Sequence, residues 1–145
     1  MELEAYKNIV YSIIGSAMEV HAELGPGLLE PVYNEALVYE LKLRGMDVVA
    51  EQQLDVYYKG HKLDKTYRMD VVVENVICEL KSVRTILPEH RLQLFNYLRL
   101  TKKSVGLLVN FGERSLHTER YVFIEEENQC YLVDKNLQIA EPLDW

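Results

Sequence analysis

Apolar residues recur near helical spacing through residues 5–24, where Ile9, Ile13, Ala17, Val20 and Leu24 form one stripe. This spacing predicts a first helix that Gly25-Pro26-Gly27 interrupts. A second helix is expected to open near Glu30-Pro31, because proline is tolerated at a first helical position, and to end before Gly45. Leu37 and Leu41 supply its short apolar stripe. Beyond Gly45 the pattern becomes strand-like: Val48, Leu54, Val56, Tyr57 and Tyr58 lie in one stretch that could contain a bulge, and Lys59-Gly60-His61 reads as a turn. Residues 67–73 and 76–80 are runs of branched apolar residues separated by Glu74-Asn75, the pattern of a hairpin. Residues 89–101 read as a helix after Pro88, residues 105–109 (VGLLV) as a buried strand, and residues 119–124 as a further strand.

The resulting order is α-α-β-β-β-α-β-β. A helix-rich start, an antiparallel meander and then a crossover helix imply an α/β fold with a mixed central sheet covered by helices. Glu125-Glu126-Glu127 reads as a solvated turn, and the following QCYLVDKNLQIA could add a terminal hairpin. With 145 residues and no linker, repeat or low-complexity segment, residues 1–145 are expected to form one domain.

Composition narrows the function classes. A formal net charge of -7 argues against a protein that coats nucleic acid by counterion release alone. The basic residues are unevenly spread, however: residues 81–103 carry Lys81, Arg84, Arg91, Arg99, Lys102 and Lys103 against Glu89. A phosphate-bearing partner therefore stays open. No run of about 18 uncharged apolar residues suggests a membrane span. The acidic start MELEAYKNIV lacks the basic region of a secretory signal, and Cys78 and Cys130 could form at most one disulfide, so a reducing cytoplasm is the expected setting.

The strongest chemical constellation is Asp70, at the end of KTYRMD, with Glu79 and Lys81 in CELK on the other arm of the predicted hairpin. Period-two geometry puts Glu79 and Lys81 on one strand face, and the hairpin could bring Asp70 beside them. Two carboxylates are hard oxygen ligands suited to Mg²⁺ or Mn²⁺, and a lysine beside them could orient water or offset developing negative charge. The tripeptide alone is weak evidence, since Glu40-Leu41-Lys42 repeats it inside a predicted helix. A plain charge pair of Glu79 and Lys81, with Asp70 merely ending a solvated strand, is the structural alternative.

The next helix adds His90, Gln93 and Tyr97 at i, i+3 and i+7, a polar edge that could face those acids. Gln93 could hydrogen-bond a phosphate, and Tyr97 could orient the same group or stack on a base. Glu30 could turn inward from the second helix, with Tyr33 bracing it or the helix packing. Other signals are weaker. Gly25-Pro26-Gly27 is no phosphate-binding loop, the four histidines lack zinc spacing, Cys78 reads as a packing residue, and Asn110-Phe111-Gly112 locally reads as a strand ending.

Taken together, Gly27-Leu28-Leu29-Glu30-Pro31-Val32-Tyr33, ELKLRG, YRMDVVVE, VICELKSV, QLFNYLRLTK and VGLLVNFG make the chain closely resemble the GxxExxY family of the PD-(D/E)XK nuclease-like superfamily. The resemblance covers roughly residues 5–124 and leaves 125–145 as a C-terminal extension that could cap a sheet edge or make a homodimer contact. It implies a restriction-endonuclease-like core. It further implies that Asp70, Glu79 and the Leu80 backbone carbonyl hold a divalent metal, that Lys81 positions water, and that Gln93 and Tyr97 match the Gln-x-x-x-Tyr helix motif of RecB-like nucleases. Glu30 matches an acidic position contributed by an early helix in some members. The function so implied is Mg²⁺- or Mn²⁺-dependent hydrolysis of nucleic-acid phosphodiesters, DNA ahead of RNA, with Gln93 and Tyr97 meeting substrate; His90, on the same helix edge, could join them. The competing expectation is a non-catalytic nucleic-acid-binding or protein-binding module on the same fold. No membrane partner is expected, whereas a homodimer or a targeting protein fits so short a core.

Overall fold

The computed structural model describes residues 3–142. Helix α1 (Glu4–Leu24) stops where Gly25 takes a φ of 76° and its N–H bonds to the His21 carbonyl at 2.8 Å. Helix α2 (Glu30–Leu43) begins with Pro31 in its first turn, where a missing N–H costs nothing, and buries Tyr33, Leu37 and Leu41. The buried face of α1 comprises Val10, Ile13, Ile14, Ser16, Ala17, Val20 and His21. It is broader than the expected stripe and turned from it, since Ile9 lies at the edge and Leu24 is exposed. Packing against α2 and the sheet, rather than periodicity alone, selects the face.

The strands are β1 (Val48–Tyr58), β2 (His61–Val73), β3 (Val76–Lys81), β4 (Val105–Asn110), β5 (His117–Ile124), β6 (Gln129–Val133) and β7 (Ile139–Pro142), with helix α3 (Pro88–Thr101) between β3 and β4. They form one seven-stranded sheet in chain order. Every pairing is antiparallel except β3 with β4. That parallel step needs a crossover, which α3 supplies. The expected α/β fold with a mixed sheet flanked by helices is therefore what the chain adopts.

Helices α1 and α2 cover one face over Val71, Val73, Cys78, Leu80, Leu107 and Val109, and α3 covers the other over Val72, Ile77, Leu108 and Tyr121. Because β3 and β4 are covered on both sides, they read as continuous apolar runs instead of alternating ones. The predicted turns at Lys59-Gly60 and Glu74-Asn75 each place two successive residues at positive φ, the twist that suits a tight hairpin. Strand β2 starts at His61, six residues before its apolar run. Residues 61–66 pair only with β1 and stand largely in solvent, so no buried face selects apolar side chains there. The irregularity expected in β1 is carried by β2: between the pairs Asp55↔Thr66 and Tyr57↔Lys62, three residues of β2 oppose Val56.

Strands β6 and β7 form the terminal hairpin and extend the sheet beyond β5, while residues 143–145 of the expected extension lie outside the described residues. Cys78 and Cys130 are both buried and unbridged. No helix among the described residues is long and apolar enough to cross a membrane.

The end of β4 is fixed by a buried side chain. The Asn110 Oδ1 accepts the N–H groups of Val83 and Gly112, each at 3.0 Å, and its Nδ2 donates to the Val83 carbonyl at 2.9 Å and to the Glu113 carboxylate at 2.8 Å. This tie holds the segment after β3 so closely that a Cβ on Gly112 would lie 2.2 Å from the Val83 carbonyl oxygen. Gly112→Ala should accordingly lower the unfolding free energy by about 3 kcal/mol, the upper range for overpacking, because backbone has to move. Gly106→Ala should cost less, since its Cβ would meet side-chain methyls of Leu94 at 2.9 Å and Leu98 at 3.1 Å instead of backbone. Urea denaturation of the two variants measures the difference.

Candidate active site

Strands β2 and β3 keep their backbone ladder only from Val71↔Cys78 to Val73↔Val76. Beyond it two side chains take over. The Asp70 N–H donates to the Glu79 carboxylate at 3.3 Å, and the Leu80 N–H donates to the Asp70 carboxylate at 2.9 Å. At the same point β2 turns over: Val71 and Val73 belong to the core under α1 and α2, yet Met69, of the same parity, belongs to the core under α3. Glu51, between the pairs Ala50↔Val71 and Gln52↔Met69, has a φ of 49°, which marks the twist on the partner strand. Asp70 and Glu79 thus converge where the strands splay.

Lys81 shares the Glu79 face, two residues on, and its Nζ donates to Gln93 Oε1 at 3.1 Å. The Gln93 Nε2 donates to the Tyr97 hydroxyl at 3.0 Å, and that hydroxyl donates to the Arg68 carbonyl at 3.3 Å. A continuous chain of hydrogen bonds therefore runs from β3 through α3 back to β2. Helix α3 is fixed to β5 by a two-point contact of Arg91 with Glu119, at 2.8 and 2.9 Å. Burial alone would raise the Glu119 proton affinity. Hydrogen bonds from Arg91, His117 and Tyr121 outweigh it and hold that carboxyl at about 2.

Glu30 reaches the same region from the start of α2. The Tyr33 hydroxyl accepts the Leu28 N–H at 3.0 Å and donates to the Gly25 carbonyl, closing the α1–α2 loop. Its ring stacks on Phe111 with centroids 4.4 Å apart, and the Ser82 hydroxyl donates to the Leu28 carbonyl. The loop before Glu30 is thereby pinned to the residue after Lys81. Asn34, one turn beyond Glu30, donates to the Asp70 carbonyl at 3.2 Å. Between these elements lies an open cleft of about 470 Å³ lined by Glu30, Pro31, Asn34, Glu35, Glu51 and Asp70.

Glu79 is only 2% exposed. Burial, and then the charge of Asp70, push its carboxyl up to about 8, against the opposing pull of the Asp70 N–H and Lys81. Burial also raises Asp70, with the Leu80 N–H and Lys81 pulling the other way. Glu30 is raised by burial and then by Asp70. The acids therefore carry more negative charge, when ionised, than Lys81 offsets. Such hard oxygen donors fit a divalent cation that keeps several waters and takes one or two carboxylates. Among the described residues no three His, Cys, Asp or Glu side chains gather as one ligand group, so Glu30 does not complete a compact triad with Asp70 and Glu79.

Asp70, Glu79, Leu80, Lys81 and Gln93 are thus brought together, with Glu30 lining the cleft it shares with Asp70. Tyr97 is 2% exposed and its hydroxyl is used on both sides, so it braces Gln93 and offers no face for stacking on a base. His90 stands apart from this chain: its Nδ1 accepts the Leu87 N–H at 2.9 Å and caps α3. Asn34, Ser82 and Asn110 do the positioning; the last two lie inside the runs VICELKSV and VGLLVNFG, which give their side chains no role. For Asn34, which lies outside those runs, its placement at i+4 from Glu30 on a helix is the available signal.

A sign follows for stability. A carboxyl whose proton affinity is raised on folding stabilises the fold below its unfolded range and loses that contribution as pH rises through its folded value. Without divalent metal, melting temperature should fall as pH rises from about 5 to about 8, through the value of Glu79. Glu79→Gln should flatten that slope in calorimetric scans.

The crystal structure of SSO0001 is similar to this chain with a TM-score of 0.54 and 18% sequence identity over 86% of its length, a likeness that shows the fold alone. The chain spans 64% of that structure. Curated proteins give no match. The sequence model of the PD-(D/E)XK nuclease superfamily matches residues 7–122, through both helices before the sheet, the splayed acids, α3 and β5. The chain belongs to the PD-(D/E)XK nuclease superfamily.

Proposed function

We propose that this protein is a divalent-metal-dependent nuclease of the GxxExxY family that hydrolyses phosphodiesters in nucleic acid, DNA ahead of RNA by analogy with its superfamily. One observation carries the reading: the buried carboxylate of Glu79 and the half-buried carboxylate of Asp70 are held against each other by the opposite strand's N–H groups, with Lys81 beside them. In this reading Asp70, Glu79 and the Leu80 carbonyl hold Mg²⁺ or Mn²⁺, and Glu30 adds charge from the start of α2. The ion supplies Lewis acidity at the scissile phosphate and makes nearby water more acidic.

The remaining work falls to the chain itself. Lys81, oriented by Gln93, directs the attacking water and offsets charge that gathers on the phosphoryl oxygens. Tyr97 fixes the Gln93 amide from behind. His90 meets substrate only through Nε2, because Nδ1 is spent on the helix cap. The same reading sets the protein in the cytoplasm and leaves substrate selection to a homodimer or a targeting partner.

Time-resolved cleavage of end-labelled and circular single- and double-stranded DNA and RNA in Mg²⁺ or Mn²⁺ tests it. Wild-type turnover should vanish in chelator and drop about a thousandfold in folded Asp70→Ala and Glu79→Ala, a loss of several kcal/mol. Lys81→Ala should lose about a hundredfold, as for one electrostatic donor. Wild-type rates in Asp70→Ala would overturn the proposal. A folded but inert wild type that still binds these substrates would move the protein to the non-catalytic binding reading.

A further inference from the structure

Beyond Asp70 the β1–β2 pair leaves the sheet as a two-stranded ribbon that ends at Lys59-Gly60. Its two faces differ in charge. At the irregular step two residues of β1 advance against four of β2, an even difference that preserves alternation. One face therefore carries Tyr58, His61, Lys65 and Tyr67 over a half-buried floor of Leu54, Val56 and Leu63. The opposite face carries Asp55 and Asp64 against Lys62 and Arg68, so its charges balance, and there Asp55 takes up Lys62 at 3.6 Å. The first face has no carboxylate.

That face is also aromatic and exposed. Tyr58 is 63% exposed and Tyr67 51%, and Lys59 reaches back over the Tyr58 ring at 5.5 Å. Rings with interleaved cations are what an unpaired nucleic-acid strand requires: bases stack on the rings, and the cations track the phosphates. The face is continuous with the candidate active site. Tyr67 meets Tyr97 edge-on at 5.8 Å, Tyr97 holds Gln93, and Gln93 holds Lys81. Three residues after Tyr67 comes Asp70 itself.

We infer that this face of the ribbon is a docking platform for an unpaired nucleic-acid strand, with Tyr58 and Tyr67 as base-stacking residues and Lys59 and Lys65 as phosphate contacts. The direction in which the platform delivers the strand rests on the phosphodiester reading of Asp70 and Glu79. Binding to the platform does not, so the two can fail separately.

The test is fluorescence anisotropy of labelled oligothymidylate, oligouridylate and a blunt DNA duplex, in chelator so that nothing is cut, with the full chain. Tyr58→Ala and Tyr67→Ala should each weaken single-strand binding about tenfold. Lys65→Ala should reduce the slope of log affinity against log salt by about 0.7. Tyr57→Ala and Lys62→Ala, on the opposite face, should bind as wild type. Tyr58 lies on the outer ribbon, so its variant answers the question even where loss of the Tyr67–Tyr97 contact disturbs packing. Unchanged binding in Tyr58→Ala and Lys65→Ala, equal losses from both faces, or preference for the duplex would each overturn the inference. Comparison of the two oligonucleotides tells whether DNA or RNA is the source of the strand. Absence of any binding alongside metal-dependent cleavage would remove the platform and leave the nuclease reading standing.

Discussion

The structure turns on the place where β2 parts from β3. Separating two strands in a covered sheet leaves backbone N–H groups without partners, each costing about 1–3 kcal/mol if buried in that state. Here the Asp70 and Leu80 N–H groups are satisfied by the carboxylates of Glu79 and Asp70. Asparagine and glutamine carbonyls could accept the same bonds without placing two acids in a buried site where each raises the other's proton affinity. The fold alone therefore does not account for the charge. An arrangement that satisfies its backbone and yet leaves excess negative charge beside a cleft is what a cation-dependent site requires.

The geometry around that point is held by ties that act on different segments. Tyr33 closes the α1–α2 loop and stacks on Phe111 at the end of β4, so one side chain links the helix pair to the sheet. Asn110 fixes the segment after β3, and the Phe111 N–H donates to the Lys81 carbonyl at 2.8 Å. Arg91 with Glu119 sets α3, and hence Gln93, against β5. Lys81 is consequently placed from its own carbonyl, from the residue after it and from the glutamine that holds its ammonium. Few of these ties lie on mobile side chains at the surface, which is how a site keeps its reacting groups within a fraction of an ångström.

The parts of this arrangement that repeat with a period were legible in the sequence. Alternation put Glu79 and Lys81 on one face, the Glu74-Asn75 turn folded Asp70 back beside them, and the gap between β3 and β4 required a crossover helix. What was not legible depends on side chains reaching across the fold. Asn110 reads as a strand ending until its four hydrogen bonds to residues 83, 112 and 113 are seen. The polar edge of α3 divides in a way its spacing cannot reveal: Gln93 turns to Lys81, His90 folds back on its own helix end, and Tyr97 sinks into the core. Residues 61–66 lacked an apolar signal because a ribbon paired on one side needs none. The overturning of β2 at Asp70 had no sequence signal, since the left-handed residue opposite it is Glu51, not glycine or asparagine.

The net charge of -7, set against the nucleic-acid substrate of the proposed reading, is reconciled by location. Charges separated by more than about 8–10 Å in physiological salt scarcely interact across solvent, so the sum matters less than what lines each surface. The cleft is lined by Glu30, Glu35, Glu51 and Asp70 and repels phosphate as it stands. A bound dication reverses the local sign, which makes metal and substrate binding at the cleft mutually dependent in the proposed reading. The carboxylate-free face of the ribbon needs no such reversal. On this argument a strand could be held by the ribbon before the cleft is ready to accept it, and the splay of β2 from β3 generates both surfaces: it exposes the ribbon on one side of Asp70 and brings the acids together on the other.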